Sequence, residues 1–527
     1  MKKNNKYIKI FALTLFFMIC LSVNANVKAL TDDNGNEIKC ILENTGFENI
    51  ANRDFCLTFD TEIKGIKINS KEIEPGDLFV CTKGVNTDRH DFIEDAIKNG
   101  ASAIVVSHDV NFDIPTIKVE DTNKILPIIC SKFYDHPEEK LIIIGVTGTD
   151  GKTSTATIIQ TLLGNDICGY IGTNGRSCYK FNKEINNTTP DSDKLFEYFY
   201  DFVNAGCKYV AMEASSEAFF RHRLDTIKFN GGIITNITRE HLNIHKTFEN
   251  YIECKSTLFK QVVKDGFSVL NIDDPFYERI LSSSHGKILT YGYDKDATFR
   301  VLDSKIYSYK TDITFKYLDK TYNIESPLLG QFNVYNLMGA IACCVALGFD
   351  IDKIKGNIKY IKVSGRLDII PNMGQDFTVM VDYAHTPNGI TNLLNFVHTL
   401  DINRSIVVIG SAGERDYLKR PIMGKCVTDN ASYAIFTYED PRSEDPKDII
   451  DMLTSDIKDR NNYEVVIDRK SAIEKAINMA QKGDMVLILG KGNETYQKLK
   501  TGTIYFNDIE EATNALKKRL KKEKVNN

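Results

Sequence analysis

An excess of either sign of charge is missing from this 527-residue chain: 66 Lys and Arg stand against 71 Asp and Glu, for a net charge of -5. That balance removes the sequence-independent pull that draws basic proteins onto nucleic acid, so no nucleic-acid partner is expected, although local basic sites for phosphate remain open. Paired cysteines are missing too. The twelve cysteines show no C-x-x-C spacing, and the one close pair, Cys343-Cys344, lies in an apolar helical stretch. This argues against a disulfide frame or a zinc site and for reduced, buried thiols in a reducing compartment. Internal repeats and low-complexity stretches are absent. The N-terminal apolar run Ile10 to Val23 would make a helix of only about 21 Å, short of the ~30 Å hydrocarbon core of a bilayer. It follows Lys2, Lys3, Lys6 and Lys9 and precedes small-residue sites such as Val23-Asn24-Ala25, the pattern of a secretory signal peptide. Residues 1–30 are therefore expected to be a signal-like or anchor segment. The plainer alternative is an upstream extension from a misplaced start, with Met18 as one internal candidate.

What is present is the mix of a soluble globular protein, 42% hydrophobic and 26% charged, in a chain long enough for roughly three domains. Short apolar runs and a helix-like Phe92 to Asn99 suggest a small α/β domain over 31–135. Leu141-Ile142-Ile143-Ile144 reads as a strand buried on both faces of a parallel sheet. Tyr209 to Met212 and Gly232 to Ile234 alternate with helices, giving a doubly wound α/β domain over 136–362. Phe377 to Val381, Ser405 to Ile409, Ala434 to Thr437 and Met485 to Leu489 predict a third α/β domain over 363–527.

Three places carry chemistry. Gly148-Thr149-Asp150-Gly151-Lys152-Thr153-Ser154 stands between the buried strand and a helix over Ala156 to Leu163. Glycines there let backbone N–H groups close around phosphate, Lys152 can reach terminal phosphates and Thr153 can ligate Mg²⁺. The strict phosphate-loop pattern asks for glycine where this chain has Val146. Glu213 ends a strand, where open α/β sheets bind ligands, and is either a Mg²⁺ ligand or a helix N-terminal acid. In Glu249 to Val262, Tyr251, Cys254, Leu258 and Val262 form an apolar arc that contains Lys255. Such a lysine either snorkels to solvent or is buried, and burial favours a neutral amine that CO₂ can carbamylate.

The runs Thr147-Gly-Thr-Asp-Gly-Lys-Thr153, Asn187-Thr-Thr-Pro190, Glu213-Ala-Ser-Ser216, Thr235-Asn-Ile-Thr-Arg-Glu-His241, Asp382-Tyr-Ala-His-Thr-Pro387 and Gly490-Lys-Gly-Asn-Glu494 resemble the Mur ligases from about residue 62 to the C-terminus. Within that family they look most like the branch that adds the third peptide residue to UDP-N-acetylmuramoyl-L-alanyl-D-glutamate in peptidoglycan synthesis. The resemblance implies three α/β domains: one for the UDP moiety, a central doubly wound ATPase with a phosphate loop, and a Rossmann-like C-terminal domain for the amino acid. It implies that Mg-ATP phosphorylates the D-Glu carboxylate and that an amine attacks the acyl phosphate. Carried over by position, Lys152, His241 and Lys255 serve catalysis. Thr153, Glu213, His241 and a carbamylated Lys255 hold metal. Gly148 to Ser154, Asn333, Arg366 and Asp382 contact ATP. Ser70, Asn187, Thr188, Thr189, Ser215, Arg221 and Arg223 contact the UDP-muramoyl dipeptide. Arg415, Glu439, Asp440, Arg442, Gly490 and Glu494 cradle the diamino acid. The arginines point to meso-diaminopimelate, whereas the adjacent acids Glu439 and Asp440, in place of Asp-Asn, leave L-lysine open.

Other departures from the family pattern are Asp150 for asparagine, Glu217 for histidine, Glu240 and Asn243 for aspartates, and Asn493 for histidine, which together suggest a diverged paralogue. ATP and UDP-muramoyl peptides imply a cytoplasmic catalytic body, expected as a monomer, with a membrane tether through residues 1–25 as one option. A different acceptor, as in folylpolyglutamate-type relatives, and a non-catalytic ligase fold are the competing readings.

Overall fold

A computed structural model describes residues 8–10, 61–84, 87–185, 187–458 and 460–526. The signal-like segment falls outside the described residues except for Ile8–Ile10, which pairs antiparallel with Thr61–Ile63. Among the described residues no helix is long and apolar enough to cross a membrane.

The chain forms two compact units. The first comprises Met1–Ile142, Thr189–Lys208 and Glu217–Lys228. Its sheet has four parallel strands in the order Gly65–Lys67, Asp77–Val80, Ala103–Val106, Thr116–Lys118. Phe79, Ile104 and Val106 on that sheet pack against Ile93 and Ala96 of the helix Ile93–Lys98.

The second unit, Ile143–Thr188, Tyr209–Ser216 and Phe229–Asn527, holds two larger sheets. In the eleven-stranded sheet the apolar strand Ile142–Thr147 lies between Tyr209–Glu213 and Phe229–Ile234. Gly145 is there for contact. A Cβ on it would come 2.5 Å from Leu258 Cδ1, so the helix Phe248–Lys260 lies directly on the strand. One end of this sheet is an antiparallel set, Phe299–Ile306, Thr311–Tyr317 and Lys320–Ser326.

In the six-stranded sheet, Thr378–Asp382, Met485–Leu489, Ser405–Ile409, Tyr433–Phe436 and Tyr463–Val465 run parallel, with Asp368–Ile369 antiparallel at the edge. Alternate side chains serve opposite faces. Met380, Val407, Phe436 and Leu487 pack under the helices Pro387–His398, Arg420–Asn430 and Pro446–Thr454. Val379, Val408, Ile435 and Val486 pack under Arg469–Met479 and Asp508–Asn526. Burial on both faces is why these strands read as unbroken apolar runs.

Two expectations need correction. Cys254 and Cys426 are half-exposed, while Cys81, Cys130, Cys168, Cys178, Cys207, Cys343 and Cys344 are buried thiols. Val262 does not belong to the Lys255 helix, which ends at Lys260. It opens the strand Val262–Asn271, its valine pair favouring the extended chain.

Candidate active site

The helix Lys152–Leu163 begins at the turn after the central strand, with its N-terminal N–H groups at the sheet's C-terminal edge. Gly148 adopts φ +144°, and a Cβ on it would fall 1.8 Å from Thr235 Oγ1, so no other residue fits. Lys152 Nζ donates to the carbonyls of Gly148 (2.9 Å) and Thr149 (2.8 Å). Burial lowers its pKa, opposed chiefly by Glu213 and Asp150. Thr153 Oγ1 accepts from Arg366 Nη2 at 3.1 Å, and Ser154 is buried. Asp150 reaches out of the loop: its carboxylate accepts from Thr386 Oγ1 and Asn388 Nδ2, both at 3.0 Å.

Lys255 does not snorkel. It is 1% exposed, its Nζ donates to the Gly148 carbonyl at 2.7 Å and lies 4.5 Å from the centre of the Tyr251 ring. Burial, reinforced by Lys152, holds its pKa well below the ordinary lysine range, which favours the neutral, nucleophilic amine. Glu213 closes its strand and is 1% exposed; it lies ahead of the helix Ser216–Phe220, not in its first turn. Its Oε1 accepts from Tyr170 Oη (2.9 Å) and the Thr173 N–H (2.7 Å). His241 has φ +58°, and burial followed by Lys419 and Lys255 drives its pKa far down, so the ring is neutral and keeps a lone pair. Its loop is pinned from both sides. Lys419 Nζ binds Glu240 at 2.8 Å, and Asp416 accepts from the Leu242 N–H at 3.2 Å. The oxygens of Thr153 and Glu213 are of the type that hard divalent cations take, and a carbamate on Lys255 would add further oxygens.

The other residues expected at the nucleotide divide by use. Asn333 is occupied internally, donating to Leu329 O at 2.8 Å and accepting from Asn336 at 2.9 Å. Asp382 accepts from the Leu367 and Ala384 N–H groups (2.8 and 2.7 Å), so it shapes the turn that carries Arg366 beside the Tyr383 ring at 4.3 Å.

Among the residues expected at the amino acid, Asp440 accepts from Lys491 Nζ at 2.8 Å, and the same ammonium binds Glu494 at 2.8 Å. Burial pushes the neighbouring Glu439 carboxyl up to about 7, with Lys491 opposing. Gly490 faces Glu439 and donates its N–H to Asp382 O at 3.1 Å. Arg442 sits at φ +55° with its buried Nε lacking a hydrogen-bond partner, and Arg415 is exposed. Sequence reasoning missed Lys491 and Lys419 as partners of these acids. For Lys491 the signal was a lysine between two glycines directly after an apolar strand; for Lys419, 179 residues from Glu240, there was none.

Of the residues expected at the UDP substrate, the first unit holds Ser70, Thr189, Arg221 and Arg223. Ser70 is buried, and its carbonyl accepts from Asn99 at 2.9 Å. Arg223 binds Asp191 at 2.6 Å and the Thr189 carbonyl at 3.0 Å. Arg221 pairs with Glu217 at 2.8 Å. A cavity in this unit is lined by Thr82, Lys83, Arg89, Asp191, Arg221 and Arg223. The second unit holds Asn187, Thr188 and Ser215, with Thr188 Oγ1 3.1 Å from Thr173 Oγ1.

Three family models match in chain order: the Mur ligase family catalytic domain over 62–138, the Mur ligase middle domain over 146–344, and the Mur ligase glutamate ligase domain over 365–492. A UDP-N-acetylmuramoyl-L-alanyl-D-glutamate--2,6-diaminopimelate ligase of Clostridium perfringens is 38% identical over 485 residues, covering 90% of this chain and 98% of the relative. A solved structure of such a ligase is 27% identical with a TM-score of 0.60, covering 90% of this chain and 99% of that one. A folylpolyglutamate synthase of Mycobacterium tuberculosis, 16% identical with a TM-score of 0.60, shares the fold over 69% of this chain and 92% of its own.

Proposed function

The chain belongs to the Mur ligase family, and we propose that within it the protein joins meso-diaminopimelate to the D-glutamate carboxyl of UDP-MurNAc-L-Ala-D-Glu, driven by conversion of ATP to ADP and phosphate. The observation that carries the choice of amine is the charge of the C-terminal pocket. Free, Glu439 and Asp440 would favour the cationic side chain of lysine. Instead Asp440 is neutralised by Lys491, and Glu439 is buried with its pKa raised to about 7. Among the described residues, Arg415 and Arg442 are held there by no carboxylate, and planar guanidinium suits the second carboxylate that distinguishes diaminopimelate from lysine. The curated relative carries the same amine in its name.

A carboxylate is a poor electrophile, and phosphorylation supplies the leaving group it lacks. Lys152 would move from the Gly148 and Thr149 carbonyls onto the phosphates, with the loop N–H groups around them. Thr153, Glu213, His241 and carbamylated Lys255 would hold Mg²⁺, which neutralises charge on the transferred phosphoryl group. For the carbamate, the neutral Lys255 amine adds to CO₂, forming an N–C bond and losing one proton. Arg366, set by Asp382 and the Tyr383 ring beside Thr153, faces the phosphate end of the site. Ser70, Asn187, Thr188, Thr189, Ser215, Arg221 and Arg223 serve the UDP-muramoyl dipeptide. The substrates place this chemistry in the cytoplasm, in three domains with limits near residues 135 and 362.

The test is phosphate release by the full chain with Mg-ATP and UDP-MurNAc-L-Ala-D-Glu, comparing meso-diaminopimelate, L-lysine and no amine. Release that depends on diaminopimelate is the expected result. A lysine preference would overturn the choice of amine. Silence with every amine in a protein that binds ATP would overturn the acceptor.

A further inference from the structure

Next to the two arginines of the amine pocket stands a third cation from another element. Lys498 lies on the strand Tyr496–Leu499, and its backbone is bonded to the arginine-bearing loop on both sides: its N–H donates to Asp440 Oδ1 at 3.2 Å, and its carbonyl accepts from the Arg442 N–H at 2.9 Å. Its ammonium lies 5.1 Å from the centre of the Tyr496 ring, whose other near cation, Lys491 at 5.2 Å, is the one held by Asp440 and Glu494. Among the described residues the side chains of Arg415, Arg442 and Lys498 make no hydrogen bond or ion pair to a carboxylate. One cation there is thus shared by Asp440 and Glu494, and three are held by no carboxylate. We propose that Lys498 is a specificity-determining residue that binds the distal carboxylate of the incoming diamino acid together with Arg415 and Arg442.

A carboxylate offers about four lone-pair sites, so a bidentate guanidinium leaves room for a further donor. Those three cations favour that carboxylate and repel the lone ε-ammonium of lysine, which gives discrimination by repulsion as well as attraction. Burial and then the Arg442 guanidinium hold the Lys498 pKa below the usual lysine range, as expected of a cation waiting for an anion, with Asp440 and Glu494 opposing and Arg415 adding.

The assignment rests on the reading above that this pocket takes the amine. Steady-state kinetics of the full chain with both amines test it through Lys498→Gln and Lys498→Arg. Lys498→Gln is expected to raise KM for meso-diaminopimelate about tenfold, leave kcat within about twofold and change KM for lysine little, while Lys498→Arg keeps the wild-type preference. An unchanged KM for diaminopimelate, or equal losses with both amines, overturns the role of Lys498 and leaves the ligase reading intact. A wild-type enzyme that does not use diaminopimelate shows, before any variant is made, that the reading of the pocket has failed, and the assignment falls with it.

Discussion

Lys152 and Lys255 donate to one acceptor, the carbonyl oxygen of Gly148, at 2.9 and 2.7 Å. Burial first, and then repulsion from Lys152 on the same oxygen, drives the pKa of the more deeply enclosed Lys255 well below its usual range. Lys255 is also packed against the Tyr251 ring, 4.5 Å from its centre, so its amine is held in place there.

Lys255→Ala should therefore cut turnover by about three orders of magnitude, because the site loses the anion that a carbamate would supply. Small carboxylates added to the assay should restore part of it. Full activity in the alanine variant would remove the carbamate assignment.

Arg442→Ala should raise KM for meso-diaminopimelate about ten- to a hundredfold through loss of a bidentate contact, with a much smaller effect on lysine. Equal losses for the two amines would contradict its role in reading the distal carboxylate.

Asp193 gives the first unit a pH dependence. It is buried, its Oδ1 lacks a hydrogen-bond partner, and burial, reinforced by Asp191, pushes its carboxyl up to about 7. The folded chain thus keeps a proton that an unfolded aspartate releases near pH 4, so stability falls as pH rises from about 4 through about 7 and levels off above. Asp193→Asn should remove that fall, giving a gain on the order of 2–4 kcal/mol at pH 8 and almost none at pH 4. Melting curves of both proteins across this range decide it, and parallel curves would refute it.

Asp508→Ala should destabilise the C-terminal region by about 3–5 kcal/mol, the usual cost of leaving a buried charge unpaired. Both Asp508 and its partner Arg469 are fully enclosed, with guanidinium to carboxylate distances of 2.8 and 2.6 Å. A denaturant midpoint that does not move would show that water reaches Arg469.

The sequence made legible what is local. The apolar strand before Gly148, the glycines of the loop and the place of Lys255 on the inner arc of its helix each follow from neighbours a few residues away. Pairings across long stretches of chain were not legible. Glu439-Asp440 read as two free acids because Lys491 lies 51 residues from Asp440. Likewise Asp150 read as a mild change from asparagine, since nothing nearby announces that Thr386 and Asn388, 236 and 238 residues on, would take its two oxygens. Helix periodicity carried the arc two residues too far, to Val262, because an apolar residue fits it whether the chain continues as a helix or turns into a strand.

The pair Arg469–Asp508 also has a bearing on biosynthesis. A ribosome delivers the arginine 39 residues before the carboxylate that answers it. Until then a guanidinium that also binds the Leu489 carbonyl at the end of a central strand has no counter-ion, so the sheet under it cannot close dry. The six-stranded sheet thus closes only after the helix Asp508–Asn526 has begun to emerge, and a nascent chain arrested before Asp508 is a candidate for chaperone capture.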